Sequence, residues 1–156
     1  MKILLLSDSH GDTAAVCEAV RREAPDQVLH MGDHAADCGV LDRAFPLLPV
    51  RAVRGNCDMG STEAEEAVLS LGGKRVLITH GHRYRVKGGT DLLETAAAAE
   101  GVDAVLFGHT HIPIFTMFAG IYVINPGSLR YGRCYGVLRI ENGQLSYHPG
   151  TLPPVR

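Results

Sequence analysis

The chain has 156 residues, of which 46% are hydrophobic and 21% are charged, and its formal net charge is −2. This length suits one domain spanning residues 1–156 with its own hydrophobic core, and the composition is typical of a soluble globular protein. The charge balance excludes nucleic-acid binding through a general basic field, although a nucleotide or a nucleic-acid end could still be a substrate at a local site.

The cysteines and the apolar runs indicate where such a chain resides. Four widely spaced cysteines contain no Cys-x-x-Cys pair, which is a poor pattern for disulfides or a zinc knuckle; they are Cys17, Cys38, Cys57 and Cys134. The apolar run at residues 1–6 meets Asp8 too early for a signal peptide or a membrane span, and no other apolar run is long enough. We therefore predict reduced thiols, a cytoplasmic location and no membrane partner.

The first half of the chain predicts strands that alternate with helices. Asp12 or Thr13 should cap a helix, and its apolar spacing buries one face through Ala15, Val16, Ala19 and Val20. In chain order the predicted elements are a strand at 2–7, a helix at 13–24, a strand at 27–31, a weak helix at 40–44 and a strand at 50–53.

The second half predicts one more helix and several strands. Residues 63–71 fit a strand and a loop equally well. The remaining predicted elements are a strand at 74–78, a helix from Thr90 or Asp91 to Gly101, strands at 103–107 and 122–124, a turn at 125–128, and a hairpin of 135–140 with 144–148. Within the helix, Leu92, Leu93 and Ala96 should face inward, and the proline-rich residues 149–154 should form a surface tail.

Polar side chains follow five of the apolar strands, at the point where each strand ends. Sites in open α/β sheets form outside the carboxyl ends of the strands, so we expect these side chains to converge. The candidate ligands are Asp8, His10, Asp33, Asn56, His80, His109 and His111. One metal would leave some of the seven unused, whereas two metals that share a carboxylate would use them all. The mixture of imidazole and oxygen suits Mn, Fe, Zn or Ni better than Ca or Mg.

The charge of such a centre predicts its substrate. Two divalent cations would exceed the negative charge of Asp8, Asp33 and a bridging hydroxide together, so the site would remain cationic. A small-molecule phosphate ester would gain more from this field than a neutral peptide or ester would.

The order of five motifs resembles the calcineurin-like metallophosphoesterases. The motifs are Asp8-x-His10, Gly32-Asp33-x-x-x-Asp37, Gly55-Asn56-Cys57-Asp58, His80 and Gly108-His109-Thr110-His111. The short chain and the Gly-Asn-Cys-Asp form are most similar to the small bacterial and archaeal phosphodiesterases of that superfamily. The resemblance implies an α/β fold arranged as a four-layer α/β/β/α sandwich.

The resemblance also implies a dinuclear mechanism. It assigns Asp8, His10, Asp33 and His111 to one metal and Asp33, Asn56, His80 and His109 to the other, with Asp33 as the bridge. A metal-bridging hydroxide would attack phosphorus in line, while the metals and Asn56 stabilise the phosphoryl oxygens. Manganese is the first candidate for both ions, with nickel, zinc and iron as alternatives.

Cys57 departs from the family pattern, in which a histidine commonly occupies that position and assists the leaving group. A thiol of ordinary pKa is a poorer acid partner than imidazole at neutral pH, so we expect the enzyme to favour good leaving groups or to use His82. The candidate catalytic residues are Asn56, Cys57, Asp58 and His82. Asp37 and Asp58 should also orient the ligands.

Other interpretations remain open for single residues and for the whole chain. Asp8 and Asp33 could be helix caps, residues 56–58 could be a plain turn, His82 could lie in a surface loop, and His34 is undecided. A non-catalytic scaffold, like the metallophosphoesterase-like subunit of retromer, should have lost a ligand, and none is missing here. A phosphomonoesterase or phosphoprotein phosphatase ranks last, because the chain is short for a substrate groove. The apolar C-terminal strands could pair with another copy as a homo-oligomer.

Overall fold

The computed structural model describes residues 1–155, which form ten strands and three α-helices. In chain order these elements are β1 (Lys2–Leu6), α1 (Thr13–Glu23), β2 (Gln27–His30), α2 (Gly39–Ala44), β3 (Val50–Ala52), β4 (Glu66–Leu71), β5 (Lys74–Thr79), α3 (Asp91–Glu100), β6 (Ala104–Leu106), β7 (Ile114–Phe118), β8 (Ile121–Asn125), β9 (Cys134–Glu141) and β10 (Gln144–Thr151). Two short 3-10 helices, Ala35–Cys38 and His82–Tyr84, complete the described structure.

The strands form two five-stranded sheets. The first has the order β10-β9-β1-β2-β3 and the second the order β4-β5-β6-β8-β7. Strands β1, β2 and β3 run parallel in the first sheet, as do β5, β6 and β8 in the second. Each sheet is therefore parallel at its centre, and the polar loops after these strands all leave from their carboxyl ends.

Alternating side chains of the central strands fill three apolar layers. Between the two sheets, Ile3 and Leu5 of β1 share a core with Ile78 and Leu106 of the second sheet. On the outer faces, α1 and α2 cover the first sheet and α3 covers the second. Because side chains alternate along a strand, each central strand contributes side chains to both the inner and the outer apolar layer. The predicted α/β/β/α sandwich is confirmed.

Helix α1 follows its predicted face, but α3 departs from it at two positions, since Leu92 is exposed and Ala96 is only half-buried. Helix α1 begins after Asp12, whose Oδ1 accepts a hydrogen bond from the amide of Ala15 at 3.0 Å, and it buries the four residues expected. In α3 the prediction was wrong for Leu92, which is 55% exposed. The inward face consists of Leu93 and Ala97, four residues apart, and this spacing turns Leu92 to solvent.

The structure corrects the sequence analysis at three strands. Residues 66–71 form β4, which pairs antiparallel with β5. Strand β7 was not predicted. The prediction of a surface tail at 149–154 was wrong, because β10 continues to Thr151 opposite Cys134 and Leu152 is buried. Strand β10 lies at the sheet edge, where Pro149 can be accommodated without losing a ladder hydrogen bond.

The closing hairpin turns through Asn142 and Gly143, as predicted. Both residues have positive φ angles, 51° and 74°, which the two-residue turn between right-twisted strands requires. No helix within residues 1–155 combines the length and the apolarity needed to cross a bilayer.

Candidate metal centre

The first donor cluster lies at the carboxyl end of β1. The ligand atoms of Asp8, His10 and His111 all lie within 4.8 Å of one another. His111 Nε2 is 3.1 Å from Asp8 Oδ1, and His10 Nε2 is 3.8 Å from the same oxygen. Asp8 is fully buried, so its carboxylate has lost its water and faces these imidazoles.

The second donor cluster joins the loops after β2, β5 and β6. It contains Asp33, His80 and His109, whose ligand atoms also lie within 4.8 Å of one another. His80 Nε2 is 3.3 Å from Asp33 Oδ1, 3.1 Å from His109 Nδ1 and 3.1 Å from Asn56 Oδ1. Four of the predicted donors therefore surround one point.

The two clusters adjoin at Asp33. While Asp33 Oδ1 faces His80, Asp33 Oδ2 lies 3.8 Å from His10 Nε2 in the first cluster. Cys57 also belongs here, because its sulfur lies within 4.8 Å of ligand atoms of His10 and Asp33. The fold thus brings all seven predicted donors to one edge of the two sheets.

Close approach between the two sheets depends on a glycine. A Cβ atom on Gly108, which follows β6, would overlap the side chains of Ser7 and Asp8 on the neighbouring loop. Only glycine lets the loop that carries His109 and His111 come this near to the end of β1.

The protonation pattern of the imidazoles fits a metal site. His80 Nδ1 lies 2.7 Å from the carbonyl oxygen of Met31, to which it can only donate, so in the neutral ring the lone pair of Nε2 faces the cluster. His10 Nε2 is buried and has no hydrogen-bond partner among residues 1–155. A divalent cation would satisfy both nitrogens, and the donor set fits such an ion.

The backbone of the donors is strained. Five of the seven have left-handed φ angles between 41° and 66°, a region that only glycine enters without strain, although aspartate and histidine enter it more often than most residues; they are Asp8, His10, Asp33, His109 and His111. Each such residue costs on the order of 1 kcal/mol, and strain of this kind accumulates where function requires a fixed geometry.

Asp58 holds the loop that presents Asp33. Its carboxylate accepts hydrogen bonds from the backbone amides of Asp33 at 2.9 Å, Ala35 at 3.0 Å and Gly55 at 2.7 Å. Because these amides belong to two separate loops, Asp58 fixes the loop after β3 against the loop after β2. This contact is the orienting one expected for it.

A buried chain of hydrogen bonds lies behind the first cluster; Asp37 was expected to orient the ligands, but the link from Ser9 to His30 was not predicted. Asp37 Oδ2 accepts from Ser9 Oγ at 2.7 Å and from the Gly11 amide at 2.8 Å. Ser9 Oγ in turn lies 2.9 Å from His30 Nε2, while His30 Nδ1 accepts from the Gly32 amide. With Nδ1 accepting, His30 Nε2 carries the proton and donates it to Ser9. These contacts position the loops that carry His10 and Asp33.

Asn125 is a further positioning residue, which the sequence analysis placed in the turn at 125–128. It is the last residue of β8 and is fully buried. Its Nδ2 donates to the Gly108 carbonyl at 2.8 Å and to Thr110 Oγ1 at 3.0 Å, and its Oδ1 accepts from the Gly127 amide. The sequence signal that could have identified Asn125 is the same one that identified the candidate ligands: a polar residue at the end of an apolar strand.

The residues of the second cluster shift one another's pKa values. Burial acts to raise the pKa of Asp33, but its hydrogen bonds with His80 and with the Cys57 amide outweigh this and lower the pKa. Burial likewise acts against the charged form of His80, yet the Asp33 and Asp8 carboxylates raise its pKa. Burial, and then the neighbouring His80, lower the pKa of His109 to about 4. Asp33 therefore stays ionised and His109 neutral at neutral pH, the forms that bind cations.

Cys57 and His82 flank the second cluster. Burial and the hydrogen bond with Asp33 raise the pKa of the Cys57 thiol, which keeps its proton at neutral pH. The His82 ring lies 5.5 Å from the His80 ring and 6.2 Å from the His109 ring, and its buried Nδ1 has no partner among residues 1–155. Burial, and then His80, lower the pKa of His82.

Two aromatic rings at the first cluster complete the site. Tyr131, which the sequence analysis did not single out, stacks on His111 with a centroid distance of 5.2 Å and an interplanar angle of 24°. The undecided His34 is exposed, and its ring lies 5.4 Å from that of His10.

Comparison with known proteins agrees with this geometry. Residues 1–143 match the model of the calcineurin-like phosphoesterase superfamily domain. A probable metallophosphoesterase of Bacillus subtilis, YsnB, is 37% identical over 152 residues, covering 91% of this chain and 86% of its own. The phosphodiesterase YfcE of Escherichia coli is 28% identical over 94% of this chain and 90% of its own. A predicted phosphoesterase of Streptococcus pneumoniae superposes with a TM-score of 0.80 at 27% identity, covering 96% of this chain and 88% of that one.

Proposed function

Since the chain belongs to the calcineurin-like phosphoesterase superfamily, we propose that it is a phosphodiesterase that binds two divalent transition-metal ions. The observation that carries this proposal is the position of Asp33 between two donor clusters, with one carboxylate oxygen near His80 and the other near His10. A single ion would leave one of the two donor clusters without a cation.

The ligand sets proposed are those that the family resemblance implies. Asp8, His10, Asp33 and His111 would hold one ion, and Asp33, Asn56, His80 and His109 the other. When bound, the ions supply Lewis acidity and lower the pKa of water, the chemistry that an in-line hydroxide attack on phosphorus needs. We propose manganese first, because carboxylate and imidazole ligands suit it, with nickel, zinc and iron as alternatives.

Residues of the chain would then act on the substrate directly. Asn56 Oδ1 faces His80 and its Nδ2 donates to the Cys57 sulfur at 3.5 Å, so the second N–H of the amide would donate to a phosphoryl oxygen. The protonated Cys57 thiol lies beside Asp33, and the His82 ring lies beside those of His80 and His109, so either side chain could assist the leaving oxygen. Asp58 would contribute by holding Asp33 in place.

Two observations favour a diester hydrolase over the alternatives. The Escherichia coli relative is named a phosphodiesterase, which supports diesters ahead of monoesters or phosphoproteins. All seven candidate ligands are present and meet at one edge, which supports an enzyme ahead of a non-catalytic scaffold.

We further propose one domain for residues 1–156 and a cytoplasmic location. Both sheets contribute donors to the same site, which supports a single domain. All four cysteines are free, which is the usual state in a reducing compartment.

The proposal predicts metal content and hydrolysis together. We expect about two ions per chain by elemental analysis and turnover of bis(p-nitrophenyl) phosphate, compared with Mn, Ni, Zn and Mg side by side. Two bound ions without turnover of any phosphodiester would contradict the enzyme and favour the scaffold.

The leaving-group role is tested by substitutions at Cys57 and His82. His82→Ala should slow the hydrolysis of a dialkyl phosphate by about 10²-fold, because general acid catalysis matters most for a poor leaving group, and should slow that of the nitrophenyl ester much less. Cys57→His should raise the rate on the dialkyl ester by about tenfold. Phosphorus NMR and nitrophenolate absorbance measure the two reactions.

The exposed His148 provides the control, since His148→Gln should leave both rates unchanged. Equal rates for His82→Ala and the unsubstituted protein on the dialkyl ester would remove His82 from the mechanism.

A further inference from the structure

A recess of about 700 Å³ opens beside the second donor cluster. It lies between the segment from His34 to Asp42 and the loop from Cys57 to Glu63. Cys57 forms part of its wall, and the Cys57 sulfur also lies within 4.8 Å of ligand atoms of His10 and Asp33. A phosphoryl group bound at the donors would therefore have this recess within reach of one of its ester groups.

The walls of the recess leave room for an organic group. Small residues line much of it, among them Ala35, Gly39, Ala52 and Gly60. Its volume lies within the range of small-molecule sites, and polar and apolar atoms both line it. One ester substituent of a phosphodiester, rather than a macromolecule, fits such a space.

The charge of the recess is one-sided. No Lys or Arg lines it, whereas Asp42 and Glu63 do, and neither of these carboxylates forms an ion pair within residues 1–155. Arg54, which reaches the carbonyl of Ser61 nearby, is paired with Glu65 instead.

The buried thiol of Cys38 also lines the recess, and its pKa is shifted by the negative charges around it. Burial raises its pKa to about 12, and the surrounding carboxylates, including Asp42 and Glu63, act in the same direction. The recess is thus negative beside donors that would attract an anionic phosphate once the proposed metal ions are bound.

We propose that the recess binds one ester group of the substrate and selects a positively charged group, such as an alcohol that carries an ammonium ion. This inference rests on the proposed phosphodiesterase function. It assigns the anionic phosphate to the proposed metal ions and the cation to Asp42 and Glu63, so that the preferred substrate is zwitterionic. An ester group that carries a second phosphate is disfavoured, because two unpaired carboxylates face it.

Two isosteric substrates test the inference. p-Nitrophenyl phosphorylcholine carries a quaternary ammonium, and the corresponding 3,3-dimethylbutyl diester has a carbon in place of the nitrogen. We expect kcat/KM to favour the choline ester by about five- to tenfold at low salt, because two carboxylates at water-like dielectric supply that much. In the Asp42→Asn/Glu63→Gln variant the ratio should fall to about one.

The control makes the same change in net charge elsewhere. Glu100 and Glu141 are exposed acids at the ends of α3 and β9, away from the carboxyl ends that form the site. The Glu100→Gln/Glu141→Gln variant should keep both the rates and the choline preference. Equal kcat/KM for the two esters, or a preference that survives Asp42→Asn/Glu63→Gln, would overturn the inference alone. Hydrolysis of neither ester would contradict the proposed function, and the inference would fall with it.

Discussion

Replacing Asp33 by Asn is expected to slow hydrolysis of bis(p-nitrophenyl) phosphate by about 10³-fold or more and to lower the metal content. Asp33 is the carboxylate that faces both donor clusters, and Asn keeps its shape and its ability to accept from the Cys57 amide. What would be lost is one negative charge between the two cations proposed to bind there, a loss of several kcal/mol, and each 1.4 kcal/mol is a factor of ten in rate.

Elemental analysis and steady-state kinetics on the same preparation measure both effects. Asp91→Asn, which removes an exposed carboxylate at the start of α3, is the matched control and should retain metal and activity. A fully active Asp33→Asn variant that retains its ions would show that Asp33 does not join the two ligand sets.

Acid is expected to destabilise the protein through His30, by up to roughly 3 kcal/mol near pH 4. His30 is fully buried, and burial lowers its pKa to about 4 from the ordinary value of 6.5. Above pH 6.5 the ring is neutral in both states and contributes no pH dependence. As the pH falls from 6.5 to 4, the unfolded chain binds a proton that the folded chain excludes, so the free energy of unfolding decreases.

Urea unfolding at a series of pH values, with a chelator present so that metal release does not contribute, measures this slope. His30→Gln removes the titrating ring, so its unfolding free energy should vary less between pH 6.5 and 4. His148→Gln, at an exposed histidine, should retain the original slope. A His30→Gln variant with an unchanged slope would assign the acid sensitivity to other groups.

The convergence of the candidate ligands could be predicted from sequence, because each of them follows an apolar strand. The parallel strands of both sheets bring their carboxyl ends to one edge, so residues as far apart as Asp8 and His109 become neighbours. The hydrophobic pattern that predicts the strands therefore also predicts which polar residues meet at the candidate site.

The features that were missed depend on contacts between segments. Strand β7 lies at a sheet edge, and Phe115, Met117 and Phe118 are all exposed, so no alternation marks it. The bond between Ser9 and His30 forms only when the loops after β1 and β2 meet. The stacking of Tyr131 on His111 likewise joins residues 20 apart that share no strand or helix.

The tight turns lie at the edge opposite the metal centre. Gly72-Gly73, Ala119-Gly120 and Asn142-Gly143 connect antiparallel strands there, and none of the seven donors belongs to them. Short insertions at these three turns would extend the molecule away from the candidate metal-binding residues. They are therefore the natural positions for an affinity tag, a fluorophore or a fused partner domain.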